Sequence, residues 1–162
     1  MEMESITLED ALTIAKEAEI KAAQVYREAS ARATNPLGKK LLEQLADFEE
    51  YHYRKLVELE ESLRTKGEFI EYEGRELQLP SSPETGDKAR ELESRSMAAI
   101  LATAIDIEKA AEERYRALAE RTSDPRGKAM FQKLALEEHY HYRILNDEYY
   151  ALSNRGVWVW AE

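Results

Sequence analysis

The chain repeats part of its own sequence, and this repeat restricts its fold more than any other feature does. A stretch that begins at Leu45 recurs 89 positions later with most residues matched. Each copy contains a Glu-x-x-His motif, formed by Glu49 with His52 and by Glu138 with His141. Residues three positions apart lie on the same face of an α-helix. Because carboxylates and imidazoles are common ligands of transition metals, the motif indicates a metal site.

The repeat covers a whole helical hairpin. Apolar residues recur at alternating spacings of three and four, which is typical of helices buried along one stripe. Asn35-Pro36 and Asp124-Pro125 predict the starts of the second and fourth helices, at matching positions of the two copies. We predict one all-α domain over residues 1–162. It contains hairpins at about 7–66 and 91–155, a long crossover loop at about 67–90 and an apolar tail at 156–162.

Composition excludes several classes of site and partner. The chain has no cysteine, which excludes disulfides, thiolate metal ligands and cysteine nucleophiles. Its net charge of −10 argues against nucleic acid and anionic membrane surfaces as partners. No apolar run is long enough to span a membrane. The acidic first ten residues lack the apolar segment of a signal peptide, so we expect a soluble, cytoplasmic protein.

Polar residues interrupt the apolar stripe once in the first and third helices and twice in the second and fourth. Glu19 and Glu49 are equally distant from the first turn, and Glu108 and Glu138 are equally distant from the second. Each pair should therefore lie at one height, about 22 Å from its turn. Approximate two-fold symmetry would then bring six side chains together: Glu19, Glu49, His52, Glu108, Glu138 and His141.

Four buried carboxylates would repel one another strongly unless cations balanced their charge. Two divalent ions provide that balance, with one histidine, one terminal glutamate and a share of two bridging glutamates for each metal. The donor set suits iron or manganese, and zinc is possible. The alternative interpretation is a solvated acidic surface, but six residues at one level on buried stripes argue against it.

This pattern resembles the ferritin-like di-iron carboxylate proteins, and most closely the di-iron domain of the rubrerythrin family. The family has Glu in the first and third helices and Glu-x-x-His in the second and fourth, which corresponds to the six residues above. It also has a tyrosine two turns after the first-helix glutamate. Tyr26 matches that tyrosine and Tyr115 is its repeat mate. The resemblance implies a ferritin-like four-helix bundle in which both tyrosines donate hydrogen bonds to ligand carboxylates.

Two departures from the family pattern bear on function. Full-length rubrerythrins carry a cysteine-rich rubredoxin module, which this chain lacks, so the resemblance implies a separate electron donor. A further family glutamate, three residues after the third-helix ligand, is Ala111 here. Glu112 is one position further along, and whether it is an extra ligand stays open.

The resemblance implies a rubrerythrin-like peroxidase in which two iron ions react with hydrogen peroxide or dioxygen. Two alternatives stay open: a ferritin-type ferroxidase or iron-storage protein, and an oxygenase acting on an organic substrate. The apolar tail and the many tyrosines favour a homodimer. Exchange of hairpins between subunits would leave the site chemistry unchanged.

Overall fold

Four long helices account for nearly all of the structure, a computed structural model that describes residues 6–78 and 91–155. They are α1 (Leu8–Arg32), α2 (Pro36–Lys66), α3 (Glu91–Arg121) and α4 (Pro125–Arg155). Helices α1 and α2 form one hairpin, α3 and α4 form the other, and α1 also packs on α3. The predicted ferritin-like bundle of two hairpins is confirmed.

Capping residues explain where the helices begin and end. The Thr7 hydroxyl accepts a hydrogen bond from the Asp10 N–H at 3.0 Å, which satisfies one free donor at the start of α1. The Asn35 and Asp124 side chains accept equivalent bonds at the starts of α2 and α4. Gly67 ends α2 with φ at +68°, a left-handed conformation that glycine adopts without strain.

The buried apolar residues form two layers, one on each side of the bundle's middle. One layer joins the turn end of the first hairpin to the open end of the second, and it includes Leu42, Leu101 and Leu145. The other layer joins the open end of the first hairpin to the turn end of the second, and it includes Leu12, Leu56 and Phe131. The hairpins therefore pack head to tail, as the predicted two-fold symmetry requires. The six polar residues singled out in the sequence lie between these layers.

Residues 68–78 run from the end of α2 without helix or strand, and we call them the strap. They form the first part of the crossover loop predicted at about 67–90. Gln44 on α2 pairs with Gln78 through two bonds of 2.6 Å, and the Tyr51 hydroxyl donates to the Glu73 carbonyl. The loop expected around Pro80–Gly86 and the apolar tail at 156–162 lie outside the described residues.

Candidate metal centre

The six polar residues singled out in the sequence meet in the middle of the bundle. Each is buried, with at most 1% of its surface exposed. Glu19 comes from α1, Glu108 from α3, and the two Glu-x-x-His motifs from α2 and α4. The i, i+3 spacing turns each glutamate and its histidine toward the same interior space.

Potential ligand atoms form two overlapping groups, and within each group they lie within 4.8 Å of one another. Glu49 and Glu138 belong to both groups. Glu19 and His52 complete one, and Glu108 and His141 complete the other. Two shared carboxylates, with one terminal carboxylate and one imidazole on each side, are consistent with a di-metal site. The identity of the metal does not follow from this geometry.

The polar atoms of the cluster leave coordination capacity unused. Seven buried side-chain atoms make no hydrogen bond within the described part of the chain, and all belong to the six residues: one oxygen each of Glu19, Glu49 and Glu108, both oxygens of Glu138, and Nδ1 of His52 and His141. His52 Nδ1 lies 2.9 Å from Glu138 Oε1, but its direction of approach does not make a hydrogen bond. Because buried polar atoms are rarely left unpartnered, this donor set fits metal ions.

Two tyrosines connect the hairpins through the cluster. The Tyr26 hydroxyl of α1 donates to Glu108 Oε1 on α3 at 2.9 Å. The Tyr115 hydroxyl of α3 donates to Glu19 Oε1 on α1 at 2.6 Å. Both rings are fully buried. Each hairpin thus orients the terminal glutamate of the other.

Electrostatics within the metal-free cluster divides the carboxylates into two kinds. Burial, together with repulsion from the neighbouring carboxylates, raises the pKa of Glu49 and of Glu138 well above the ordinary value. Burial also acts to raise the pKa of Glu108, but the hydrogen bond from Tyr26 and the close approach of Glu138 and His141 outweigh it and lower that pKa to about 2. The raised pKa favours the protonated form of the shared glutamates, and divalent cations would offset the same repulsion.

Burial and the neighbouring carboxylates have opposite effects on the pKa of the His52 imidazole. Desolvation lowers its pKa, but the charge of Glu19, the hydrogen bond to Glu137 and the close approach of Glu138 outweigh desolvation. The net effect raises the pKa of His52 well above its ordinary value. The metal-free site therefore favours an imidazolium at this position, which must lose its proton before Nδ1 can bind a metal.

Sequence reasoning missed Glu137, which lies behind His52. Its Oε1 is 3.1 Å from His52 Nε2, on the opposite side of the ring from the cluster. Two groups of the strap also bind it: the Tyr72 hydroxyl at 2.5 Å and the Arg75 N–H at 2.7 Å. Comparison of the two repeats could have drawn attention to this position, because a phenylalanine, Phe48, stands there in the first copy. No sequence signal indicated the role of Tyr72.

Glu112 does not reach the cluster. It pairs with Arg116 at 2.5 Å and with His139 at 3.0 Å, and it belongs to neither group of potential ligands. Ala111 is buried at the position of the additional family glutamate.

Within the described part of the chain, no helix is long and apolar enough to cross a lipid bilayer.

Comparisons with known proteins agree with this geometry. A model of the rubrerythrin family matches residues 99–156, the range that includes Glu108, Glu138 and His141. The second hairpin is therefore similar to the rubrerythrin family. A solved structure of a hypothetical protein from Pyrococcus furiosus is similar to the chain with a TM-score of 0.73 and 29% sequence identity, and the match covers 94% of each chain. A search of curated proteins found no match.

The sequence contains no cysteine that could bind a rubredoxin iron, so no rubredoxin module is evident in it. Its candidate metal ligands are all carboxylates and imidazoles. The matched segment lies entirely in the second hairpin, and the repeat extends the same ligand pattern to the first hairpin.

Proposed function

We propose that the chain is a di-iron or di-manganese carboxylate protein that reacts with hydrogen peroxide or dioxygen, as a rubrerythrin-like peroxidase. The single observation that carries the proposal is the set of seven unpartnered polar atoms, which converge from six buried side chains in the middle of the bundle. A purely structural core would not retain so many unsatisfied polar groups, because each one costs free energy.

The six residues would hold the two ions in the roles that the overlapping groups suggest. Glu49 and Glu138 would bridge, Glu19 with His52 would complete one position, and Glu108 with His141 would complete the other. When bound, the metal pair would supply Lewis acidity and the electrons that cleave an O–O bond.

The protein's own groups orient the ligands and exclude bulk water. The Tyr26 and Tyr115 hydroxyls fix the terminal carboxylates and keep one oxygen of each directed to the cluster. The apolar layers above and below the cluster seal it along the bundle axis. Desolvation strengthens every electrostatic interaction in the site and protects it from side reactions.

The proposal includes partners that the chain must find in solution. The oxidant is a small molecule, and the electron donor is a separate protein or small reductant. We also propose a homodimer, because Leu136, Tyr140 and Tyr150 on α4 are exposed large apolar or aromatic side chains. Light scattering on the purified protein measures the subunit number directly.

Metal analysis followed by a peroxidase assay tests the function. Protein purified without chelator should contain about two metal ions per chain, as the di-iron bundle pattern requires. The iron-loaded form should then consume peroxide when a reductant is supplied. Absence of bound metal would refute the proposal. Iron-dependent oxygen consumption with retained ferric mineral, and no peroxide turnover, would instead identify a ferroxidase.

A further inference from the structure

The two histidines of the centre have different surroundings, although the sequence repeat makes them equivalent. The residue before each shared glutamate is Phe48 in the first copy and Glu137 in the second. Glu137 Oε1 lies 3.1 Å from Nε2 of His52. At the other end, the Phe48 ring meets the His141 ring edge to face, with centroids 4.4 Å apart. Phe48 also lies edge to face with His52, with centroids 5.6 Å apart, so the difference between the two imidazoles is the carboxylate behind His52.

The strap fixes the position of the Glu137 carboxylate. The Tyr72 hydroxyl and the Arg75 N–H bind its two oxygens at 2.5 and 2.7 Å. Gly74 allows this close approach, because a Cβ at that position would lie 2.7 Å from Glu137 Oε2 and 2.6 Å from Lys133 Cε. With three partners, the carboxylate cannot rotate away from His52 without breaking other bonds.

His141 borders an open space instead. It lines a cavity of about 440 Å³ together with Arg75, Glu137 and Tyr140, and His52 is not part of that lining. Its contacts with carboxylates, at 3.8 and 3.9 Å, are both made by Nδ1 on the cluster side. Among the side chains that the structure describes, those of residues 6–78 and 95–154, no carboxylate is placed against its Nε2 as Glu137 is against that of His52.

We propose that Glu137 is a positioning residue that makes the His52 metal position the tighter and more slowly exchanging of the two, leaving the His141 position labile. The inference rests on the proposed di-metal centre. A carboxylate that accepts a hydrogen bond from the remote nitrogen of a metal-binding histidine fixes the tautomer and makes the ligand nitrogen more basic. None of the described side chains supplies that effect to His141, and the adjoining cavity gives its position a route to solvent.

Single-position variants measure the two affinities separately. His141→Ala leaves the His52 position, and His52→Ala leaves the His141 position. Cobalt(II) is titrated into each chelator-treated variant, and binding is followed by absorption and calorimetry. We expect His141→Ala to bind cobalt more tightly than His52→Ala does, by about 10-fold or more. Adding Glu137→Gln should weaken binding about 10- to 100-fold in the His141→Ala background, the range typical for loss of such a partner. In the His52→Ala background it should change the affinity by less than about 3-fold.

Glu112→Gln is the matched control, because Glu112 is also a partly buried glutamate that contacts a histidine, His139, outside the cluster. It should leave both affinities unchanged. If either alanine variant fails to fold by circular dichroism, release of cobalt to a chelator from the chain with all six ligands replaces the titration. Release should be biphasic, and Glu137→Gln should accelerate only the slow phase.

The outcomes separate this inference from the proposed function. Equal affinities in the two alanine variants, or an equal effect of Glu137→Gln on both, would overturn the inference while leaving a di-metal centre in place. The same holds if Glu137→Gln leaves both release phases unchanged or accelerates only the fast one. Failure of the wild-type chain to bind cobalt would refute the metal centre, and the inference with it.

Discussion

The two hairpins are alike where they touch the centre of the cluster and differ where they surround it. Each contributes one terminal glutamate, one Glu-x-x-His motif and one tyrosine, at positions that the repeat matches. Behind the ligands, Phe48 and Glu137 occupy the same repeat position with opposite chemistry. A pair of metals needs equivalent bridges from both halves, whereas the outer contacts of each half are free to diverge. The two copies of the repeat therefore share the ligands but differ in the residues that lie behind them.

The hairpins depend on each other because each supplies the tyrosine that donates a hydrogen bond to the terminal glutamate of the other. Glu19 receives its hydrogen bond from Tyr115, and Glu108 receives its bond from Tyr26. Neither hairpin alone can place its terminal carboxylate. The site consequently forms only when the two hairpins pack together, and its geometry reports on that packing.

Removal of a shared glutamate should have the largest effect. Glu49 and Glu138 belong to both ligand groups, so Glu49→Ala or Glu138→Ala should abolish binding of both metals and the activity with it. Glu19→Ala or Glu108→Ala should affect mainly one position. Metal content and peroxide turnover measure this contrast, and circular dichroism checks that the helices persist.

Glu50→Ala is the control for the shared glutamates. Glu50 follows Glu49 in the chain, but it faces Arg27 at 3.1 Å on the surface of the first hairpin. The control should retain metal and activity. If activity survives in both Glu49→Ala and Glu138→Ala, the assignment of bridging ligands is wrong.

Opposite pH dependences of the metal-free and metal-loaded protein form the second prediction. Glu49 and Glu138 have pKa values raised above 4.5 in the folded state, so their ionisation penalises folding as pH rises above that value. The pKa of His52 is raised above 6.5, so the stability it contributes is present below pH 6.5 and lost as pH rises through the folded value. Each group changes the unfolding free energy by up to about 1.4 kcal/mol per pH unit.

Thermal melts at about pH 5, 7 and 9 test this. The chelator-treated protein should become less stable as pH rises, whereas metal binding requires deprotonated ligands and should stabilise the loaded protein more at the higher values. The lowered pKa values of Glu19 and Glu108 add stability that is already complete above pH 4.5, so they do not reverse the trend. A metal-free protein that gains stability from pH 5 to 9 would contradict the expected protonation of the cluster.

The sequence predicted the symmetric part of the molecule and missed the asymmetric part. Helical periodicity and the Asn35 and Asp124 caps predicted the hairpins because those signals are local. The convergence of the six polar side chains followed from the repeat and the equal distances to each turn. Glu137 was missed because its role depends on a contact with Tyr72, 65 positions away in an irregular segment. Periodicity carries no information about where such a segment lies.

The tyrosine exchange gives a third prediction, in which the hairpins should behave alike. Tyr26→Phe and Tyr115→Phe each remove one hydrogen bond to a buried carboxylate. A hydrogen bond to a charged group contributes about 1.5–3 kcal/mol, so both variants should lose a similar amount in denaturant unfolding of the metal-free protein. Tyr53→Phe, a partly buried position on α2, serves as the control and should change little. A loss confined to one variant would show that the tyrosines are not equivalent.

Removal of the helix caps at the two turns should give the smallest loss of stability of these variants, and the loss should differ slightly between the hairpins. Asn35 Oδ1 accepts from the Leu37 N–H at 2.9 Å, and Asp124 Oδ1 accepts from the Arg126 N–H at 2.9 Å. Replacement of either cap by alanine should cost about 1 kcal/mol. Asp124→Ala should cost about 0.3–1 kcal/mol more, because a negative charge also interacts with the helix dipole. The extra loss in Asp124→Ala should disappear in high salt, whereas the loss of about 1 kcal/mol shared by both cap variants should remain. As a control, alanine at the preceding positions 34 and 123 should leave the stability unchanged. Equal losses at all salt concentrations would show that the two caps act only as hydrogen-bond acceptors, and that the charge difference between the turns has no energetic consequence.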